Sequence, residues 1–425
     1  MEQHCFLPKK HRIFFGAAII LISGLLAYCL FSYPGTALFP RHVTLTWTGD
    51  PQTTQTITWQ TGSLLLAGQQ VQYSEEAKAG SFPQQSRIIS AAGEILATNK
   101  GKVAIHSVAL TGLEPDTRYV YRVGNGLIWS KSHTFATSPV NVPMVKFLLF
   151  GDSQGSKYDD WRATLTKASQ ANPDAVFLMH AGDLVDVGLD YGQWNDWFSA
   201  GSGIIDRIPV MPVMGNHETY TSEWKIAQPE FYTALLKLPA NGPAELRGKV
   251  YSFDYGPVHF SILNSQEQEE REFIPDILRL QQTWLEQDLQ SADKKWKLVL
   301  IHRPLYHNRP SAGDEELRDA FAPLIDKYHV DAVFSGHDHA YARSYPITNG
   351  MWAKGSQKAE GTVYITAGRS GTKTFSRALA KDWDEVFYNP MDEPNYLTVE
   401  VTPARLTVKA FKQNGDLIDD WSVSK

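Results

Sequence analysis

The chain contains the segment Ala332-Val333-Phe334-Ser335-Gly336-His337-Asp338-His339, in which a short apolar run ends at a glycine followed by two histidines. Four other apolar runs are also followed directly by polar clusters, namely Gly151-Asp152, Gly182-Asp183, Gly215-Asn216-His217-Glu218 and His302. A glycine at such a point permits a sharp exit of the backbone from a sheet. Ligands of layered α/β folds bind outside the carboxyl ends of the strands, so we expect these clusters to converge on one site.

The residues around these clusters predict an α/β domain with a sheet buried on both faces, because apolar strand-like runs are interspersed with amphipathic stretches. The amphipathic stretches are Asp159–Gln170, Ile277–Gln290 and Asp314–Lys327. We expect this domain to cover residues 144–395. Residues 396–425 alternate and contain the hairpin turn signal Asn414-Gly415, which predicts strands that complete the domain.

Residues 42–138 have a different pattern, made of short alternating runs separated by turn residues. Several short strands at this spacing predict a β-sandwich. The segment Leu113-Glu114-Pro115-Asp116-Thr117-Arg118-Tyr119 resembles the turn and tyrosine of fibronectin type III domains. A linker is expected at Ser138–Pro143, since its two prolines disfavour regular elements.

Length and charge set broad limits on the function. The 425 residues are enough for two or three domains at roughly 150 residues each. Lys and Arg total 40 against 46 Asp and Glu, so the chain lacks the basic excess that binds a nucleic-acid backbone. We therefore expect no nucleic-acid partner.

The N-terminal residues 1–33 predict export. Basic residues at positions 9, 10 and 12 precede an uncharged apolar run from Ile13 to Tyr33, which at ~20 residues is about long enough to span a bilayer. The segment is either an uncleaved signal anchor or a cleaved signal peptide. The protein is accordingly expected outside the cytoplasm, either anchored in the membrane or secreted or periplasmic.

The polar clusters combine two carboxylates, an amide oxygen and several imidazoles. Such mixed oxygen and nitrogen ligands suit Zn, Fe and Mn. Both cysteines, Cys5 and Cys29, lie in the N-terminal segment, so the site must be built from Asp, Asn and His. Two metals a few ångströms apart need a bridging ligand, and a carboxylate can serve both.

The order of these motifs resembles that of the calcineurin-like metallophosphoesterases. Together with the preceding sandwich and the Gly-His-x-His-Ala-Tyr-x-Arg form at 336–343, the chain most resembles the purple acid phosphatases. The resemblance implies two divalent metal ions, Fe, Zn or Mn. It implies that metal A is bound by Asp152, Asp183 and His339, and metal B by Asp183 as a bridge with Asn216, His302 and His337.

The resemblance also assigns roles beside the metals. It implies that His217 contacts the phosphate and protonates the leaving oxygen, and that Glu218 orients His217. Arg303 and His307 flank the expected ligand His302, and each is either a phosphate contact or part of a solvated loop.

The chain departs from the purple enzymes at one ligand. Their Gly-Asp-x-x-Tyr motif is here Gly182-Asp183-Leu184-Val185-Asp186, and the Asp-x-His of the wider superfamily is Asp152-Ser153-Gln154. Asp186, Gln154 or water can replace the missing tyrosinate. Without a phenolate there is no charge-transfer band, so we expect a colourless enzyme with two divalent metals.

The implied activity is hydrolysis of phosphoric monoesters, as in acid phosphatases, by attack of a metal-bound hydroxide on a phosphorylated small molecule. A phosphodiesterase or nucleotide hydrolase on the same metals is the nearest alternative, because the motifs do not separate these substrates. An alternative of another class is a cell-surface binding protein with a degenerate metal site, which the missing tyrosine favours.

Two further segments have open interpretations. Trp194, Trp197 and Phe198 have near-helical spacing and form either core packing or a substrate-facing wall. The segment 368–373, Gly-Arg-Ser-Gly-Thr-Lys, resembles a phosphate-cradling loop in composition but lacks the P-loop spacing. We expect a flexible loop near the site.

Overall fold

The computed structural model describes residues 38–310, 315–352, 354 and 361–425. The predicted export segment 1–33 lies outside the described residues. Within the part of the chain that is described, no helix is both long and apolar enough to cross a membrane.

The N-terminal region is the predicted β-sandwich. It contains β1 (Arg41–Thr46), β2 (Gln55–Gly62), β3 (Gln70–Glu75), β4 (Arg87–Ser90), β5 (Ala92–Thr98), β6 (Gly101–Leu110), β7 (Arg118–Gly124) and β8 (His133–Ala136). The strands form two four-stranded sheets, ordered β1-β2-β6-β5 and β4-β3-β7-β8. The Tyr119 hydroxyl accepts the backbone N–H of Glu114 at 2.9 Å, which is the tyrosine-corner contact of such sandwiches.

The second region contains the remaining strands and the helices. The strands are β9 (Val145–Phe150), β10 (Phe177–His180), β11 (Val210–Pro212), β12 (Tyr251–Tyr255), β13 (Val258–Leu263), β14 (Trp296–Ile301), β15 (Ala332–Ser335), β16 (Tyr341–Ser344), β17 (Ile347–Thr348), β18 (Met351–Trp352), β19 (Val363–Ala367), β20 (Asp384–Tyr388), β21 (Asn395–Thr402), β22 (Arg405–Lys412) and β23 (Leu417–Ser424). The helices are α1 (Asp159–Ala171), α2 (Tyr191–Gly201), α3 (Glu230–Leu235), α4 (Glu267–Glu270), α5 (Ile277–Ser291) and α6 (Glu315–Lys327). The amphipathic stretches predicted from the sequence thus correspond to α1, α5 and α6.

Two large sheets form this second region. One has the order β11-β10-β9-β21-β22-β23, and the other has the order β12-β13-β14-β15-β19-β16-β20. Strands β9, β10 and β11 are mutually parallel, as are β13, β14, β15 and β19. The C-terminal strand β21 pairs antiparallel with β9, so the end of the chain joins the first sheet. The expected combination of an N-terminal β-sandwich with an α/β domain whose sheets are flanked by helices is present.

The core lies between the two large sheets. Phe147 of β9 stacks on Phe177 of β10 at 4.9 Å between ring centroids, and it meets Phe260 of β13 edge-on at 5.5 Å. In β14, Leu298 and Leu300 belong to this core, while the alternate residues of the strand pack with α5 and α6. The sheet is therefore buried on both faces, as its continuous apolar strands predict.

The β-sandwich is docked onto the second region through aromatic contacts. Trp47, directly after β1, is 1% exposed and packs against Phe177 at 5.4 Å and Tyr255 at 5.6 Å between ring centroids. The hydroxyl of Tyr121 donates to the carbonyl of Asp206 at 2.8 Å. Side chains of the sandwich thus help to fill the core between the two large sheets.

The aromatic cluster of α2 is core packing and not a wall facing substrate. Trp194, Trp197 and Phe198 are all buried. The indole N–H of Trp197 donates to Ser153 Oγ at 3.0 Å, and that of Trp194 donates to the carbonyl of Gly188 at 2.7 Å. These bonds satisfy the polar atoms of both rings inside the core.

Candidate metal centre

The polar clusters predicted from the sequence follow the ends of parallel strands and converge. Asp152 follows β9, Asp183 follows β10, Asn216 and His217 follow β11, His302 follows β14, and His337 and His339 follow β15. The carboxyl ends of parallel strands lie at one edge of a sheet, which is where this type of fold binds its ligands. Both large sheets therefore contribute side chains to one site.

Several of these residues have unusual backbone conformations. The φ angles of Asp183, His337 and His339 are +55°, +66° and +56°, in the left-handed region that residues with a Cβ rarely adopt. Such conformations persist where surrounding contacts fix them, and they are frequent at functional sites. The loops thus hold three candidate ligands in conformations that an unconstrained chain would avoid.

Two glycines of the motifs make room for these side chains. Gly182 has φ of +100°, and a Cβ there would lie 2.4 Å from Nδ1 of His302. A Cβ on Gly215 would lie 2.1 Å from Oδ1 of Asp183. Only glycine therefore allows the two strand ends to approach the candidate ligands so closely.

The first group of candidate ligands is Asp152, Asp183 and His339, whose ligand atoms lie within 4.8 Å of one another. Nε2 of His339 is 3.0 Å from Oδ2 of Asp152, while its Nδ1 contacts the carbonyl of Lys373 at 2.7 Å. In the neutral ring Nδ1 then carries the proton and Nε2 presents a lone pair. Oδ2 of Asp152 is buried and accepts no hydrogen bond from the described residues. An orphaned carboxylate oxygen facing an imidazole lone pair fits a metal ion.

The second group is Asp183, His302 and His337, again within 4.8 Å. Oδ1 of Asn216 lies between the two rings, 3.2 Å from Nε2 of His302 and 3.1 Å from Nδ1 of His337. His302 is oriented by its Nδ1, which is 2.8 Å from the carbonyl of Ala181. Acceptor atoms therefore converge on a second point, and this donor set also fits a metal ion.

The charges of Asp183 and His302 shift each other's pKa values. Burial lowers the pKa of His302, but the charge of Asp183 and the hydrogen bond to it more than offset this and leave the pKa at about 9. Burial alone would raise the pKa of Asp183, whereas the charges of His302 and His217 bring it well below its usual value. The buried Asp183 carboxylate thus remains ionised and is stabilised by positive charge beside it.

All six metal ligands that the resemblance implies are brought together, and Asp183 belongs to both groups, as a bridging residue would. The arrangement offers carboxylate and amide oxygens with imidazole nitrogens, which suits Zn, Fe and Mn alike.

His217 lies beside the ligands at the start of a short 3-10 helix, His217–Thr219. Its backbone N–H donates to Oδ1 of Asp183 at 2.9 Å, and its Nδ1 is 2.6 Å from the carbonyl of Asp186. The carbonyl thereby fixes the orientation of the ring and leaves Nε2 facing the site.

Glu218 has a role different from the expected one of orienting His217. Its buried carboxylate accepts backbone N–H groups on two loops, from Asp183 at 3.0 Å, Leu184 at 2.8 Å, Val185 at 3.3 Å and Gly215 at 2.7 Å. Burial and the charge of Asp183 raise the pKa of Glu218 to about 8, while the backbone donors favour its ionised form. Glu218 therefore joins the loops after β10 and β11.

The two candidates for the missing tyrosinate lie in different surroundings. Oδ1 of Asp186 is 2.7 Å from Nζ of Lys373, in an ion pair, and Asp186 belongs to neither group of candidate ligands among the described residues. Gln154 is closer to the ligands, because its Nε2 is 3.0 Å from Oδ2 of Asp183 and 3.0 Å from Nε2 of His339.

Arg303 and His307 are occupied by protein partners. The guanidinium of Arg303 makes a bidentate pair with Glu269, at 2.9 and 2.6 Å. Glu269 also accepts from the hydroxyl of Tyr220 at 3.2 Å, and Nδ2 of Asn216 donates to that hydroxyl at 3.3 Å. Arg303 thus supports the candidate ligand Asn216 indirectly, through Glu269 and Tyr220. Nδ1 of His307 faces the carbonyl of Arg309 at 3.1 Å.

Sequence reasoning missed Lys373 and Trp224. The segment 368–373 is fixed and not a flexible loop, because the N–H groups of Ser370 and Gly371 donate to the carbonyl of Asp152 at 2.9 and 3.0 Å. Trp224 is 56% exposed and its ring meets that of His217 edge-on at 5.8 Å. The only signal for Lys373 was the phosphate-loop-like composition of its segment, and nothing in the sequence singled out Trp224.

Comparison with known proteins agrees with this geometry. Residues 145–341 match the family described as Calcineurin-like phosphoesterase, and residues 40–137 match the Purple acid Phosphatase, N-terminal domain. The chain therefore combines a calcineurin-like metallophosphoesterase domain with a purple acid phosphatase N-terminal domain, and its homologues and structural neighbours are purple acid phosphatases, which supports a hydrolase.

Individual relatives extend this comparison. The chain is 25% identical over 413 residues to mouse "Acid phosphatase type 7", covering 90% of this chain and 91% of that protein. It is 32% identical over 311 residues to "Probable inactive purple acid phosphatase 1" of Arabidopsis thaliana, covering 63% of this chain and 49% of that protein. The purple acid phosphatase PPD1 of yellow lupin has the same fold, with a TM-score of 0.71, 20% identity, and coverage of 91% of this chain and 74% of that one. The chain thus spans nearly all of the mouse protein but about half of the plant protein.

Proposed function

We propose that the chain hydrolyses phosphoric monoesters at a centre of two divalent metal ions. The observation that carries the proposal is that Asp183 belongs to both groups of candidate ligands, one completed by Asp152 and His339 and the other by His302 and His337. When bound, such a pair supplies positive charge for phosphoryl oxygens and a water whose pKa is lowered toward ~7.

The chain's own residues account for the remaining steps. Asn216 is held by Tyr220, and His302 by the carbonyl of Ala181, so both present their ligand atoms in fixed directions. Nδ1 of His217 is held by the carbonyl of Asp186. The doubly protonated ring delivers the proton on its Nε2 to the oxygen of the leaving group, as a water oxygen bonds to phosphorus and the bond to the leaving group breaks. An alcohol and inorganic phosphate are then released.

The monoester preference is supported by relatives that are named acid phosphatases. A phosphodiesterase or nucleotide hydrolase would use the same ligands, so the substrate must be determined by the rim of the site. Asp186 stands in this sequence where the purple enzymes have their tyrosine, and a carboxylate gives no charge-transfer band, so we expect a colourless enzyme.

A binding protein with a degenerate metal site is the alternative from another class. Several plant relatives are named probable inactive purple acid phosphatases. Against this alternative, the ligand set other than the tyrosine is present and assembled in this chain.

The proposed location is outside the cytoplasm, and it rests on the sequence of residues 1–33. A phosphatase at that location would act on phosphorylated small molecules that reach it there.

The test is metal analysis of the purified full-length chain combined with hydrolysis of 4-nitrophenyl phosphate and bis(4-nitrophenyl) phosphate. We expect two metal ions per chain and faster hydrolysis of the monoester. Faster hydrolysis of the diester would establish the phosphodiesterase alternative. A metal-loaded chain that hydrolyses neither ester would favour the binding protein.

A further inference from the structure

We propose that Lys373 binds the phosphoryl group of the ligand, so that an ammonium group occupies the side of the centre where purple acid phosphatases have their tyrosinate. The inference rests on the proposed function for the identity of the ligand, a phosphate or phosphoric ester. It assigns a substrate-binding role to a residue in a segment without a recognisable motif.

The position of the ammonium group is the first argument. Nζ of Lys373 lies 2.7 Å from Oδ1 of Asp186, 3.3 Å from Oε1 of Gln154 and 3.3 Å from Nε2 of His217. Gln154 in turn contacts Asp183 and His339 of the first ligand group. The ammonium group is thus separated from the first ligand group by the side chain of Gln154. It also lies beside His217, the residue that protonates the leaving group.

The second argument is that the backbone of Lys373 cannot move away from the site. Its carbonyl faces Nδ1 of the candidate ligand His339 at 2.7 Å. Two N–H groups of the same loop, from Ser370 and Gly371, bind the carbonyl of Asp152. The candidate ligands and Lys373 are therefore fixed relative to one another, which is what a charge that acts on bound substrate requires.

The third argument is access to solvent. The side chain of Lys373 is 38% exposed, whereas those of Asp152 and His339 are 0% and 3% exposed. The ammonium group also lies 5.9 Å from the ring centroid of the exposed Trp224. A ligand approaching the buried candidate ligands from this rim meets Lys373, and an oxygen bound near His217 Nε2 is also within reach of Nζ.

A purely structural alternative is that Lys373 only neutralises Asp186. The partner carboxylate is 23% exposed, so removal of the lysine alone would leave a negative charge near the site and weaken anion binding indirectly. A double substitution separates the two explanations, because it removes both charges at once.

The experiment uses the metal-loaded full-length chain and inorganic phosphate as the probe, titrated by calorimetry. We expect Lys373→Met to weaken phosphate binding by about 10- to 100-fold, as for loss of a charge-assisted hydrogen bond. The Lys373→Met/Asp186→Asn variant should regain at most the part of the affinity that the unpaired carboxylate removes, and should remain well below the wild type. The matched control is Lys225→Met, an exposed lysine of the loop that carries Trp224, and it should bind phosphate as the wild type does.

Three results would overturn the inference. Phosphate affinity that is unchanged in Lys373→Met excludes the contact, and affinity that is restored to the wild-type value in the double variant assigns Lys373 to neutralising Asp186. Loss of metal in Lys373→Met would make it a residue that positions the loop. Because the titration needs no turnover, a wild-type chain that binds phosphate through Lys373 but cleaves no ester would refute the proposed function alone.

Discussion

Oδ2 of Asp183 lies 3.2 Å from Nε2 of His302, and the other oxygen of the same carboxylate accepts the backbone N–H of His217 at 2.9 Å. One side chain thus contacts a candidate ligand of the proposed second metal and also holds the backbone of His217, the proposed proton donor. The loops after β10, β11 and β14 are coupled through this carboxylate.

Replacement of the shared carboxylate should disable both metal positions. We expect Asp183→Asn to lose most of its bound metal and its phosphatase activity together, because each group of candidate ligands loses the same negative charge and the amide has only one oxygen to share between them. Metal content measured by atomic emission, alongside activity, checks this. The matched control is Asp186→Asn, which removes a carboxylate that is paired with Lys373 and should retain the metal. An Asp183→Asn protein that still holds two metals would refute the bridging role.

Removal of the proton donor should affect turnover and not metal. His217→Ala is expected to keep its metal content, since His217 lies beside the candidate ligands and is not one of them. Its kcat/KM should fall by about 10²- to 10⁴-fold on alkyl phosphates, whose leaving groups need a proton, and by much less on 4-nitrophenyl phosphate. The comparison of the two substrates is the measurement, and equal losses on both would contradict the acid role.

Glu218→Gln should destabilise the loops that position Asp183 and Asn216. The amide places N–H donors where the carboxylate accepts backbone N–H groups, so donors would face donors. Above about pH 8, where Glu218 is ionised, we expect a loss of roughly 1–3 kcal/mol in the free energy of unfolding and weaker metal binding. Chemical denaturation and metal titration measure these effects. The exposed Glu223→Gln is the control, and equal stability of the two variants would show that the carboxylate does not join the loops.

The stability of the protein should depend on pH through His259 of β13, which lies between Asp254 and Asp288. Burial lowers the pKa of His259, but hydrogen bonds to both carboxylates more than offset this and leave it at about 9. Lys294 is 3.8 Å from Asp254 and adds a competing positive charge. Since the folded pKa lies above the unfolded value of about 6.5, the stabilisation is complete below about pH 6.5 and is lost as the pH rises through about 9.

His259→Gln tests this dependence. We expect it to lower the free energy of unfolding by up to about 3 kcal/mol near pH 6, with the difference from wild type shrinking by pH 10. Denaturation curves at a series of pH values provide the measurement. A difference that stays constant across this range would mean that the loss comes from packing and not from the charge.

The fold and the ligand set were predictable because both depend on patterns that are local in the chain. The apolar runs that end at Asp152, Asp183 and His302 are the strands of the two large sheets, and each cluster follows its strand directly. Tyr119 could be placed in the sandwich because its corner contact is made five residues away, at Glu114.

The features of the site that the sequence did not predict depend on contacts between distant parts of the chain. Lys373 meets Asp186 and His217 across 187 and 156 residues, and no local pattern indicates such a pairing. Arg303 lies next to the candidate ligand His302 in the sequence. Its guanidinium nevertheless pairs with Glu269, which is 34 residues away, and this pairing holds it away from the site. Glu218 adjoins His217 in sequence, but the turn of the short helix directs its carboxylate to the backbone of the neighbouring loop.

Through Trp47, the N-terminal sandwich contributes to the hydrophobic core of the second region. Its ring lies among Phe177, Phe253 and Tyr255, inside the hydrophobic core that supports the strands leading to the metal ligands. A fragment that begins after the linker would expose these aromatic rings to water and would be prone to aggregate. The two regions therefore share one hydrophobic core, and we expect a chain divided at the linker to lose stability in both parts.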